Sequence, residues 1–180
     1  MKERFLEQAR HEHAPRERIV GLVIEGVFFL ALLPVVLVYF SPRLDRLFGF
    51  PHVSFGVIDI ILGVALTVTG YLLGWWAVYT QFTVGRGTPV PLMATQQLII
   101  QRPYSYCRNP MALGAIVAYL GIAVWVSSIS AIALVFLGAA LLLTYIKLLE
   151  EKEMELRFGE AYKEYRRKTP FIIPRLRPGK

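Results

Sequence analysis

Apolar residues in this chain fall into three long runs, each set off from the next by a short polar stretch. Ile19 to Phe40 reads IVGLVIEGVFFLALLPVVLVYF, Phe55 to Tyr79 is nearly as uniform, and Met111 to Leu149 is the longest. A helix rises about 1.5 Å per residue, so roughly 20 apolar residues cross the ~30 Å hydrocarbon core of a bilayer. The first two runs fit one crossing each. The third is too long for one, and its polar break, SSIS at Ser127 to Ser130, predicts two helices joined by a tight turn. The pattern predicts an all-α membrane protein with four transmembrane helices, the third and fourth forming a hairpin, in one integral membrane domain over residues 1–180. The first run follows a long segment of mixed charge and has no small-residue cleavage site after it. It therefore reads as a retained helix rather than a signal peptide.

Beyond the last run the pattern changes. In EEKEMELRFGEAYKEYRRKTPFIIP, Glu150 to Pro174, the residues Met154, Leu156, Phe158, Tyr162 and Tyr165 recur at approximately helical spacing among charges. That predicts one amphipathic C-terminal helix lying against the membrane surface, with Glu153 on its solvated face.

Composition agrees with the runs: 55% of residues are hydrophobic and the mean hydropathy is +0.48. The net charge of +7 raises the question of nucleic acid, but its distribution answers it. Eighteen of the 20 Lys and Arg residues lie before helix 1, between helices 2 and 3, or from Lys147 onward, and two lie between helices 1 and 2. This is the positive-inside pattern, which predicts cytoplasmic N- and C-termini and contact with anionic lipid headgroups rather than nucleic acid. The single cysteine, Cys107, rules out an internal disulfide and a multi-thiolate metal site. HEH at His11 to His13 has a spacing that suits solvated surface better than metal ligation, so no metal is expected. There is neither a phosphate-cradling glycine loop nor a G-x-S-x-G elbow.

Several polar groups break the pattern. Glu25 and Asp59 lie inside apolar runs, at different depths, where either could reach the interface. GYLLG at Gly70 to Gly74 has the G-x-x-x-G spacing that lets helices approach closely. The middle loop, Thr80 to Asn109, contains Pro89, Pro91 and Pro103, which bar regular helix. Pro110 suits the first turn of helix 3, leaving Arg108 and Asn109 beside free backbone N–H groups where an anion is favoured. Glu150 and Glu151 stand where helix 4 leaves the bilayer, against the basic bias of the tail, and a cationic ligand would explain them.

These two dense stretches carry a resemblance. QRPYSYCRNPMALG at Gln101 to Gly114, a helical hairpin, and then EEKEMELRFGEAYKEYRRKTPFIIP resemble the isoprenylcysteine carboxyl methyltransferase family and the related phospholipid methyltransferases. The resemblance covers about Gly85 to Pro174, the methyltransferase-like cofactor-binding half of the chain. It implies a membrane enzyme that uses S-adenosylmethionine, enclosed on the cytoplasmic side, with a lipophilic small-molecule acceptor arriving from between the helices. Carried over by position, it implies cofactor contacts at Gln96, Gln97, Leu98 and Ile99, at Tyr104, at Asn109, Pro110, Met111 and Ala112, and at Glu150. Charge adds Arg108 for the cofactor carboxylate, on the side opposite Glu150, and Glu151 beside Glu150. The pattern singles out no catalytic residue; Glu25 and Lys147 are the candidates.

Three positions depart from the family pattern. Arg102 stands for its first glycine and Ala112 for a tyrosine. Ile146 stands where the prenylcysteine enzymes place the arginine that engages the substrate carboxylate, which points away from carboxyl methylation of a prenylated cysteine. The acceptor is then a lipid-like amphiphile methylated on a carboxylate, an amine or a similar group. Two other readings compete: a non-enzymatic helical bundle binding lipid or a partner, and a sterol-reductase-like enzyme using NADPH.

Overall fold

The computed structural model describes residues 15–85 and 95–175 of the chain. HEH, Pro89, Pro91 and most of the GRGTPVP stretch lie outside the described residues. The described residues are helical without a strand. In chain order the helices are α1 (Pro15–Val27), α2 (Leu33–Phe48), α3 (Val57–Thr83), α4 (Pro110–Val126), α5 (Ile129–Tyr145), α6 (Glu151–Phe158) and α7 (Glu160–Lys168). A π-helical turn at Phe28–Leu32 joins α1 to α2, and another at Ile146–Glu150 joins α5 to α6.

Three helical runs are long and apolar enough to cross a membrane: Ile19–Phe48, Val57–Thr83 and Ile129–Phe158. The α4 helix is apolar but shorter, at 17 residues. The first helix runs on past the predicted end at Phe40. Ser41 Oγ donates to the Leu37 carbonyl and Pro42 is accommodated inside the helix, which stops only at Gly49, in the left-handed conformation at φ 68°. The predicted break between the third and fourth helices falls at Ser127 and Ser128.

The chain divides into two compact units. The second, Gly26–Gly74 with Met111–Leu143, packs α3 against α4 through residues without bulk. A Cβ on Gly70 would lie 2.3 Å from the Ala118 nitrogen, and one on Gly114 would lie 2.6 Å from the Gly74 nitrogen. Leu37, Ile122, Ala123, Ala131 and Val135 form its core. Its polar groups are spent on helix ends. Asp59 Oδ2 accepts from the Phe55 N–H at 2.7 Å and from the Ser54 and Ser127 hydroxyls, so the predicted intramembrane acid sits in the first turn of α3 and bonds back to the segment that leads into it. Asp45 Oδ1 accepts from the Ser130 N–H at 2.8 Å at the start of α5. Tyr119 donates to the Phe29 carbonyl within the first π turn.

The first unit comprises the described parts of Met1–Glu25, Trp75–Pro110 and Thr144–Lys180. Its tail is two helices rather than the predicted one, because Gly159 takes a positive φ of 56° between α6 and α7. This unit holds Glu25, Gln96, Gln97, Tyr104, Arg108, Asn109, Lys147, Glu150 and Glu151, whereas Asp59 lies in the other.

Candidate functional site

The site is organised by the π turn at Ile146–Glu150. In an α-helix the residue facing the same way as Ile146 one turn on is Glu150, at i+4. Here the Glu151 N–H bonds to the Ile146 carbonyl, five residues back. The extra residue passes the inward position to Glu151, and both Ile146 and Glu151 are buried while Glu150 is only half-buried. Glu151 meets Arg108: Oε1 lies 2.8 Å from Nη1, in an ion pair whose angle falls outside hydrogen-bond geometry. Both side chains are about nine-tenths buried, and the Arg108 Nε–H has no hydrogen-bond partner. Arg108 therefore does not face the acidic pair from across the site but is held directly by one of its members.

The closing segment is tied to the loop before α4 by backbone and side chain together. The Arg108 N–H donates to the Pro170 carbonyl at 2.9 Å, and the Asn109 amide donates to the Phe171 carbonyl at 2.9 Å. The Arg175 N–H donates to the Tyr106 carbonyl at 3.0 Å. This places the Phe171 ring 5.6 Å from the Arg108 guanidinium carbon and 5.9 Å from the Lys147 ammonium, distances at which a ring face attracts a cation.

Tyrosines tie the loop to α3 and α7. The Tyr104 hydroxyl is hydrogen-bonded to Gln81 Oε1 at 3.0 Å and lies 3.3 Å from the Ala77 carbonyl at the end of α3, and the Tyr165 hydroxyl donates to the Tyr104 carbonyl at 2.7 Å. Burial pushes the Tyr104 and Tyr165 hydroxyls well above the ordinary tyrosine value, and lifts Tyr162 to about 12, where Arg108 and Arg166 oppose the neighbouring Glu151. All three remain neutral phenols. Burial also raises the Cys107 thiol, so it is an inert packing residue.

The loop ahead of α4, the hairpin and the acidic pair all fall within the span of one family model. A model of the phospholipid methyltransferase family matches residues 58–161, more than half of the chain. The chain belongs to the phospholipid methyltransferase family. It is similar to the cobalt-zinc-cadmium resistance protein CzcN of Cupriavidus metallidurans, with 31% identity over 116 residues covering 64% of this chain and 48% of that protein. It is also similar to the nickel-cobalt-cadmium resistance protein NccN of Alcaligenes xylosoxydans xylosoxydans, with 30% identity over 116 residues and the same shares of each chain. The chain thus spans about half the length of the curated relatives it matches. No solved structure matches it.

The phospholipid methyltransferase match runs from the first turn of α3 into α7 and stops before Tyr162. Of the residues expected to contact a cofactor, the structure brings Tyr104, Arg108, Asn109, Pro110, Glu150 and Glu151 into the first unit. Gln96 is there too, its N–H bonded to the Gly85 carbonyl at 2.7 Å, with Ile99 buried, Leu98 half-buried and Gln97 exposed. A Cβ on Gly85 would lie 2.7 Å from Ile99, so glycine lets this strip of loop close. Met111 and Ala112 fall in the first turn of α4, within the second unit. Of the catalytic candidates, Glu25 is buried and Lys147 is exposed. Glu153 is not on a solvated face: it pairs at 3.4 Å with Arg157, whose side chain is largely buried and bonds the Thr95 carbonyl. Among the described residues no group of three or more His, Cys, Asp and Glu side chains is placed to hold a metal ion. Sequence reasoning missed Phe171 and Gln81. Phe171 had a signal, as the one aromatic in the closing TPFIIP segment.

Proposed function

We propose that the chain is a membrane methyltransferase that takes its methyl group from S-adenosylmethionine and passes it to a lipid-like amphiphile, with the cofactor held by the first unit. The observation that carries this reading is the buried Arg108, paired with Glu151 on one edge and left with an unpartnered Nε–H on another. A buried guanidinium donor without a partner calls for an anionic oxygen, and the cofactor's carboxylate supplies one. Glu150 makes no ion pair among the described residues, and its half-buried carboxylate suits the cofactor's cationic groups. Tyr104 and Ile99 offer an apolar wall for the adenine.

When bound, S-adenosylmethionine supplies a sulfonium methyl, which an acceptor lone pair takes as the sulfur keeps the S–C electrons. The chain's own part is positioning and the exclusion of water, since such a displacement needs no protein nucleophile. An acceptor ammonium must first lose its proton, and Glu25 is the carboxylate proposed to take it. Family membership and three helices apolar enough for a bilayer support the setting, and the basic bias of the tail supports cytoplasmic termini.

The test is methyl transfer from radiolabelled S-adenosylmethionine to a membrane lipid extract by the detergent-purified chain, alongside thermal shift with S-adenosylhomocysteine and with NADPH. Label in the organic phase and a rise in melting temperature with S-adenosylhomocysteine alone are expected. A rise with NADPH alone favours the reductase reading, and no response to either favours a binding bundle.

A further inference from the structure

The unit of Gly26–Gly74 and Met111–Leu143 carries a cavity of about 460 Å³, where the segment leading into α3 meets the turn between α4 and α5. Asp59 lines it with only 8% of its surface accessible. One of its two carboxylate oxygens is engaged. Oδ2 accepts from the Phe55 N–H, the Ser54 hydroxyl and the Ser127 hydroxyl, at 2.7, 2.8 and 3.2 Å. Oδ1 has no hydrogen bond or ion pair among the described residues. Ser54 and Ser127 also line the cavity, and each has committed its one hydroxyl hydrogen to an acceptor within the chain. Toward the cavity these hydroxyls present lone pairs alone. The hairpin turn holds Ser127 at a left-handed φ of 54°, a conformation rare for a residue with a side chain. The remaining walls are apolar and open: Trp125, Val57 and Ile60 expose 52%, 68% and 49% of their surface. His52, the other titratable residue of the lining, is exposed.

We propose that this cavity binds a primary ammonium group, with Asp59 Oδ1 as its anionic partner and the Trp125 indole beside it. A lining of lone pairs lacks donors, and an ammonium brings three of them and no acceptor. Its bond to a carboxylate is charge-assisted, and an indole face attracts a cation. An anion would meet the carboxylate and find no hydroxyl donor, while an uncharged alcohol would gain only a weaker bond. Two sources carry this chemistry. One is the headgroup of a membrane aminolipid, its tail lying along Val57 and Ile60; the other is a small free amine. None of the lining residues is among those proposed to hold the cofactor, so the inference stands whether or not the chain transfers methyl groups. The competing role for Asp59 is to fix the start of α3 and nothing more. A cavity formed in passing by that role is indifferent to the charge and donors of what enters it.

The chain has three tryptophans, Trp75, Trp76 and Trp125, so replacing the first two by phenylalanine leaves Trp125 as the reporter in the cavity. The experiment follows its fluorescence in the full chain, in neutral detergent at pH 8, during titration with dodecylammonium, dodecyltrimethylammonium and dodecanol. Dodecylammonium should saturate the signal at a concentration roughly 3- to 10-fold below the other two, the scale of a charge-assisted hydrogen bond at a partly open site. The trimethylated probe carries the same charge without an N–H, so this comparison isolates the donors. Asp59→Asn should bring the three probes within about twofold of one another. That change also touches the start of α3, so Val57→Lys serves as a second variant. It places a cation at the rim, leaves the Asp59 bonds alone, and should remove the same preference. Ethylammonium separates the sources: saturation near the dodecylammonium concentration identifies a site for free amines, and a response that needs the tail identifies a lipid headgroup. Equal responses of the unsubstituted cavity to all three dodecyl probes overturn the proposal. So does a preference for dodecylammonium that survives in a folded Asp59→Asn or Val57→Lys chain.

Discussion

In the unit of Gly26–Gly74 and Met111–Leu143, α3 and α4 approach closely at glycine, alanine and threonine, and the carboxylates of Asp45 and Asp59 are engaged at helix starts. In the unit that holds the Arg108–Glu151 pair, much of the backbone is irregular. There long side chains reach across sequence: Asn109 to the Phe171 carbonyl, Tyr165 to the Tyr104 carbonyl, Arg157 to the Thr95 carbonyl. The difference follows from where backbone polar groups find partners. A helix satisfies its own and needs only a small surface to pack, whereas a folded loop must borrow donors from side chains. The second arrangement leaves charged groups buried together, and that is the material from which a polar ligand site is made.

The sharpest way to break the first arrangement is to add bulk. Gly70→Leu should abolish stable folding or lower stability by upwards of ~3 kcal/mol, since the new side chain would meet the backbone of Ala118 and Gly114. Its motif partner makes the control. A Cβ on Gly74 meets nothing within 4 Å, so Gly74→Ala should leave the melting temperature unchanged or raise it by the helix-propensity gain of up to about 1 kcal/mol. Equal damage from both would mean that the helices are not packed in this register.

The polar unit breaks through charge instead. Glu151→Gln strands the Arg108 guanidinium in a site where both side chains are about 90% buried, and should cost about 3 kcal/mol, the lower end for breaking a buried pair. The double variant Arg108→Met with Glu151→Met should recover much of that loss, because no unpaired charge remains. Denaturation of both in the same detergent would show it, and a double variant as unstable as the single one would contradict the pair's burial.

A smaller effect is expected from alkali. Burial holds the Tyr104, Tyr162 and Tyr165 hydroxyls protonated above the ordinary value near 10, to about 12 for Tyr162. An unfolded chain would release these protons first, so the stability they contribute is complete below about pH 10 and is lost as pH rises toward 12. Phenol absorbance should therefore titrate late and together with unfolding. Ionisation of these residues near pH 10 with the fold intact would refute their burial.

Much of this architecture was readable in advance, for reasons that differ by element. Lengths of apolar run foretold the helices, and SSIS foretold the hairpin turn, because hydrocarbon burial acts on composition. The apolar run stops at Phe40, and its length could not foretell that the helix continues through Ser41, Pro42 and Arg43 to Phe48. Gly159 was visible as a residue but not as a break, because glycine bends only when the rest of the fold asks it to. The π turn at Ile146–Glu150 has no sequence signature at all. It is one residue of register, decided by packing, so nothing in the Glu150–Glu151 pair foretold that Glu151 would hold the buried position. Resemblance located the loop and the tail; which atoms they bring together depended on that single added residue.

The central claim is that the first unit binds the cofactor through Arg108 and Glu150, and calorimetric titration with S-adenosylhomocysteine tests it most directly. The chain should bind it. Glu150→Gln should weaken binding roughly 10- to 150-fold, as expected for a charge-assisted hydrogen bond worth about 1.5–3 kcal/mol. Glu164→Gln, which removes half of an exposed pair with Lys168, should change affinity by less than about twofold. No binding by the wild type, or equal losses from Glu150→Gln and Glu164→Gln, would contradict the claim.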